Sequence, residues 1–163
     1  MMRSIVRAAD SLATLTGWVA GFLLLLTTGL ILYEIALRQF FGRSTLIAEE
    51  YSGYFMAGIV YLAAAYTLQK GEHIRVGLLR ERLDPAWQRR LDLVAGVLGW
   101  IFVTLLVWAL AEQTLDAWRY GTRSFLPSRT PLVYPYAVAL AGAAVLWTAF
   151  LAFVARRLLP EEG

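Results

Sequence analysis

Apolar residues fall in four long runs separated by shorter polar stretches. That pattern predicts four helices of membrane-crossing length, over residues 16–37, 51–69, 93–111 and 132–154. About 20 residues, each rising about 1.5 Å, cross a hydrocarbon core of about 30 Å. The expected fold class is therefore an all-α integral membrane protein forming one membrane domain over residues 1–163.

The runs differ in kind. The first is nearly unbroken from Gly17 to Tyr33, and Gly17 and Gly21 stand at the four-residue spacing that lets helices approach closely. Glycine is also common in such helices, so the spacing has a bland reading too. The second run is less oily. Tyr51, Tyr54, Tyr61 and Tyr66 are spread along it with Gly53, Ala57, Gly58 and an alanine run at 63–65, which predicts a helix facing protein, with partners for its phenol hydroxyls. The third contains Gly96, Gly99, Trp100 and Trp108 but no charge. Glu112, Asp116 and Arg119 are expected to extend it to about Gly121, with Trp118 and Tyr120 in an interfacial belt. The fourth is expected to open with Thr130 as cap and Pro131 in its first turn, and Pro135 to bend its entry; Ala137, Ala141 and Gly142 leave room for a neighbour.

Between the second and third runs lies a basic loop. Asp84 and Pro85 make a helix start, and Leu83, Trp87, Leu91 and Val94 recur at helical spacing beyond it. This predicts an amphipathic interfacial helix on the membrane surface before the third span, with Trp87, Arg89 and Arg90 as lipid-contact candidates. Arg3 and Arg7 precede the first run, as in a secretory signal, but that run is longer than a signal's apolar region and no small-residue cleavage site follows. An uncleaved first span is expected.

Composition agrees. Hydrophobic residues make up 59% and charged residues 17% of 163, and mean hydropathy is +0.58; a soluble domain is about 45–50% apolar and about 25% charged. With no cysteine, disulfides and thiolate metal sites are excluded. The net charge of +3 lies beside the apolar runs, which points to membrane lipid and not to nucleic acid. Of the 15 lysines and arginines, Arg38, Arg43, Arg119, Arg123 and Arg129 fall on one side of the predicted membrane and the other ten fall with the termini and the basic loop. The bias predicts both termini and that loop in the cytoplasm, an N-in/C-in topology.

Candidate chemistry is sparse. The middles of the four runs contain no Asp, Glu, Lys, Arg or His, no repeat is visible, and no run is broken at its centre, so the chain lacks what a self-sufficient ion-coupled carrier needs. Glu34 and Arg38 are four apart and share a helix face near the end of the first run. They read as an ion pair at the helix exit or, alternatively, as a buried carboxylate that carries a proton; the nearby arginine favours the pair. Glu49 and Glu50 are adjacent and so cannot form one clamp; they suit the start of the second helix, with a salt bridge to Arg38 or to a partner chain. His73 is the single histidine, too few ligands for zinc, and no nucleophile stands with a base. No enzyme, cofactor or metal site is predicted.

Short motifs at the ends of these runs carry a resemblance. Gly71-Glu72-His73-Ile74-Arg75-Val76 resembles the GxHIRVD-type motif of the small membrane subunit of TRAP transporters, the DctQ-like family. Leu37-Arg38-Gln39-Phe40-Phe41-Gly42 is similar to its LRYxFN-like stretch, Ala48-Glu49-Glu50 to its entry to the second span, and Gly121 through Pro131, with Tyr136, to the stretch before its last helix. The likeness covers about residues 15–155; Gly77 and Ile47 depart from it, standing where the family often has an acid and a tryptophan.

The resemblance implies a tripartite, sodium-driven uptake system for organic acids in the bacterial inner membrane. A periplasmic substrate-binding protein delivers the substrate, and a large membrane subunit holds substrate and sodium and moves as an elevator. The small subunit packs against the fixed scaffold of the large one and takes no cofactor itself. Arg38, Glu49, Glu50, Tyr54, Gly71, His73 and Arg75 are then partner-interface candidates, and Arg43, Arg119, Arg123 and Arg129 are candidates for docking the binding protein. The competing expectations are a small proton-coupled exporter built on Glu34, and a membrane enzyme or assembly factor built on His73 with Glu49 and Glu50.

Overall fold

A computed structural model describes residues 2–70 and 84–158. Gly71, His73 and Arg75, named above, lie outside the described residues. Four helices follow one another: α1 (Met2–Phe41), α2 (Ile47–Lys70), α3 (Pro85–Tyr120) and α4 (Val133–Leu158). Three are long and apolar enough to cross a membrane, over Asp10–Phe41, Arg90–Tyr120 and Val133–Ala155. At 24 residues α2 is about 36 Å long and matches them in reach, but it is less apolar.

All four helices outrun their predicted bounds, α1 and α3 by the most. α1 is 40 residues long and includes the stretch before residue 16. α3 takes in residues 85–92, so the expected surface helix forms, over these residues, the first turns of the third helix. The reason is local: between Pro85 and Leu93 no glycine or further proline interrupts the backbone ladder. Asp84 starts the helix through its carbonyl, which accepts from Trp87 N (2.9 Å) and Gln88 N (3.1 Å); its side chain makes no cap bond. At the far end Gly121 adopts the left-handed conformation (φ 59°) and its N–H reaches Ala117 O, the expected stop.

α1 packs along α2 and less extensively against α4; α2 packs on α4, and α4 on α3. α4 thus touches all three neighbours, while α1 and α3 sit on the flanks. In the apolar stretches of α1 and α3, 6% and 17% of residues are buried, against 33% in α4. Trp18, Phe22 and Leu25 on α1, and Leu98, Phe102 and Leu105 on α3, face outward.

The contacts between helices are built from small residues. Ala65 and Ala143 are fully covered, with Ala13, Ala139 and Ala149 nearly so. At Gly142 a Cβ would lie 2.7 Å from the Tyr61 carbonyl carbon, so α2 and α4 meet backbone to backbone. Gly17 of the predicted pair takes the Tyr66 ring, but Gly21 and Gly53 face open space. Across α3 and α4, Gly99 receives Phe150, Trp100 and Trp147 lie 5.7 Å apart between ring centres, and Trp147 Nε1 donates to Thr104 Oγ1 (2.9 Å).

Candidate functional site

The α1–α2 connection (residues 42–46) and the α3–α4 connection (121–132) lie at the same end of the bundle, called here the two-loop end. Two buried carboxylates are held there, Glu34 and Glu50, 5% and 4% exposed.

Glu34 lies near the end of α1. Its Oε1 accepts from Arg38 Nε (3.1 Å), the Ser44 hydroxyl (2.5 Å) and Thr45 N (3.1 Å), and its Oε2 from the Thr45 hydroxyl (2.6 Å). The predicted pair with Arg38 is present, although Arg38 itself is mostly solvent-facing. The loop supplies the larger share of the donors. Gly42, at φ 60°, ends α1 and turns the chain back, which brings Ser44 and Thr45 over the carboxylate. The Ser44 and Thr45 oxygens then accept from Leu46 N and Ile47 N (both 3.3 Å), which leads into α2. With both oxygens occupied by fixed donors, Glu34 is an anchor for the connection, and the geometry favours the ion-pair reading over the proton-carrier one.

Glu49 and Glu50 open α2 as expected, but they diverge: Glu49 is exposed and Glu50 buried. Glu50 does not pair with Arg38. It accepts from the Tyr54 hydroxyl, one turn on (2.8 Å), and from the Ser128 hydroxyl of the other connection (2.5 Å). Ser128 Oγ lies 2.6 Å from Thr130 Oγ1, whose hydroxyl donates to Tyr51 Oη (3.1 Å). Burial pushes the Glu50 carboxyl up, but hydrogen bonds from Ser124, Ser128 and Tyr54 outweigh it and hold the group below its ordinary range.

The 121–132 connection is itself ordered. Leu132 N donates to Thr122 O (3.0 Å), Ser124 N to Thr130 O (2.9 Å), and Arg123 and Pro131 form an antiparallel bridge. Thr130 and Pro131 therefore belong to this turn and do not start α4, which begins at Val133. Thr130 is drawn to Tyr51, and Pro135 falls third in the helix, where its missing N–H has no helical acceptor to lose. Phe125 at the tip is fully exposed, and Arg43, Arg119, Arg123 and Arg129 all face outward; Arg123 Nη1 donates to Arg129 O (3.4 Å).

At the other end of α3, Trp87 is exposed and Arg90 lies 5.1 Å over its ring; Arg89 stands in the same helix. Among the described residues no three His, Asp or Glu side chains gather as a metal site. Ser44, Thr45, Ser124, Ser128 and Thr130 were not singled out as site residues from sequence. The signal that could have found them is the clustering of hydroxyl residues in two short loops beside helix-end carboxylates.

A family comparison decides what kind of chain carries this arrangement. The description "Tripartite ATP-independent periplasmic transporters, DctQ component" matches residues 27–159. The chain belongs to the DctQ family. Neither a curated protein nor a solved structure gives a match. The match takes in three of the four helices whole, the last part of α1 with Glu34, and both connections of the two-loop end. DctQ proteins are components of a transporter, not an enzyme family, and with three membrane-length apolar helices this chain is a multi-pass membrane protein working with partner subunits.

Proposed function

We propose that this DctQ chain is the stationary small subunit of a sodium-coupled organic acid importer in the bacterial inner membrane. All four helices span, with the termini and basic loop cytoplasmic and the two-loop end periplasmic. The observation that carries the reading is where the fixed charge sits. Glu34 and Glu50 are tied into loops at one end, and the apolar stretches between the ends hold no ionisable side chain that could serve a solute. The uncovered faces of α1 and α3 offer wide apolar surfaces for lipid and for the scaffold of a large membrane subunit. Substrate and sodium bind that larger subunit. The small subunit widens the frame against which the mobile part slides, and it presents Arg43, Arg119, Arg123 and Arg129 to the acidic surface of a periplasmic binding protein.

The test is reconstitution. Vesicles with the large subunit, this chain and the binding protein are expected to accumulate a labelled organic acid under an inward sodium gradient, and to lose uptake when this chain is left out. Accumulation by vesicles holding this chain alone would overturn the reading in favour of the self-sufficient exporter, whose proposed proton site, Glu34, is here engaged by Arg38, Ser44 and Thr45.

A further inference from the structure

A cavity of about 270 Å³ between α1, α2 and α4 plays no part in that reading. Val19 and Leu23 of α1, Phe55 and Leu62 of α2 and Val138 of α4 line it, and Tyr51 and Thr130 stand at one end. From Tyr51 to Leu62 the slot runs about 16 Å along the α2 axis, at about 1.5 Å per residue. Val19 and Val138 are each 41% exposed, so it opens to the outside of the bundle.

Its chemistry is graded along its length. Toward Leu62 the lining is aliphatic and aromatic, and the end beside the connections carries the hydroxyl contact between Thr130 and Tyr51. Just beyond, Arg129 precedes Thr130 in the chain and is exposed, and Arg123 places its guanidinium on the Arg129 carbonyl. Among the described residues no carboxylate pairs with either arginine. Apolar, then hydroxylic, then cationic is the order of tail, ester and phosphate in a membrane lipid. Width argues the same way: a helix with its side chains is about 10 Å across and does not enter a slot of this volume, whereas one alkyl chain does. We propose that the slot holds one acyl chain of a phospholipid from the leaflet at the two-loop end, with the phosphate at Arg129 and Arg123. The inference rests on the reading of α2 as a membrane span.

The experiment places the full chain in nanodiscs doped with phosphatidylglycerol bearing a tail diazirine, and maps the photoadducts by mass spectrometry. Adducts are expected on residues 51–62 and 134–138 at least fivefold above those on the outward residues Leu98, Phe102 and Leu105 of α3. Val138→Trp, which fills the slot, should remove that excess and leave the α3 adducts unchanged; Arg123→Glu with Arg129→Glu should cut it severalfold. Adducts no more frequent on the slot residues than on the outward residues of α3 in the wild-type chain would overturn the proposal whether or not the variants fold, as would loss of the slot adducts when the large subunit is co-assembled. Val60→Cys separates the two levels. Labelling by a membrane-impermeant maleimide would sink the four-span reading and this inference with it, whereas a protected cysteine with even photolabelling would sink the lipid site alone.

Discussion

The Ser128 hydroxyl donates to the Glu50 carboxylate at 2.5 Å, across 78 positions of sequence, and so fastens the α3–α4 connection to the first turn of α2. With Tyr54 on the other oxygen, and Thr130 on Tyr51 beside it, Glu50 helps join the two halves of the chain at the two-loop end.

That junction makes stability depend on pH. Glu50 is held below its ordinary value of 4.5 in the folded chain, so its contribution is complete above that value and is lost as pH falls through the lower folded value. The Tm of the wild-type chain in detergent is expected to decline below about pH 4.5, and that of Glu50→Gln to start lower and decline less over the same range. Parallel Tm curves for the two proteins would show that Glu50 contributes nothing to the slope.

The glycines should separate cleanly. Gly142→Ala puts a methyl against the Tyr61 backbone and forces α2 from α4, at a cost of about 1–3 kcal/mol. Gly21→Ala meets nothing and should be neutral or stabilising by up to about 1 kcal/mol. Unfolding in mixed micelles checks the order.

Two tryptophans in contact should also behave differently. Trp147→Phe removes the bond to Thr104 and is expected to cost about 0.5–1.5 kcal/mol. The Trp100 indole N–H is buried with no partner among the described residues, so Trp100→Phe discards an unmet donor and should cost less than Trp147→Phe.

If the two-loop end receives the binding protein, the outward arginines should steer it. Arg119→Glu, combined with reversal of Arg123 and Arg129, is expected to lower uptake at limiting binding protein by about tenfold or more and to weaken its salt dependence. Arg119 is the most telling of these, since it lies away from the lipid slot. Unchanged uptake would remove these residues from docking.

Much of this fold was legible in the residues. The four helices, the stop at Gly121 and the Glu34–Arg38 pair all follow from spacing and local chemistry, which act within a turn or two of helix. Where α3 begins its run was less visible, because amphipathic and fully apolar segments join without a break when no residue interrupts the ladder between them. The partners of Glu50 were hidden for another reason. The hydroxyls clustered around Ser128 and Thr130 hint at a polar role, but they look like ordinary turn residues until helix packing brings their loop over α2, and nothing in the pattern names a partner so distant. Thr130 does not cap α4 for the same reason: its hydroxyl is engaged by Tyr51 and Ser128.

The close meeting at Gly142 has a mechanical meaning. Glu50 stands at the head of α2, and Ser128 leads into α4, so a force arriving through the 121–132 connection enters both helices together. Farther down they touch with no side chain between them to yield. A tug from a docked partner would tilt the pair as one stiff lever, with α1 and α3 carried along on either side.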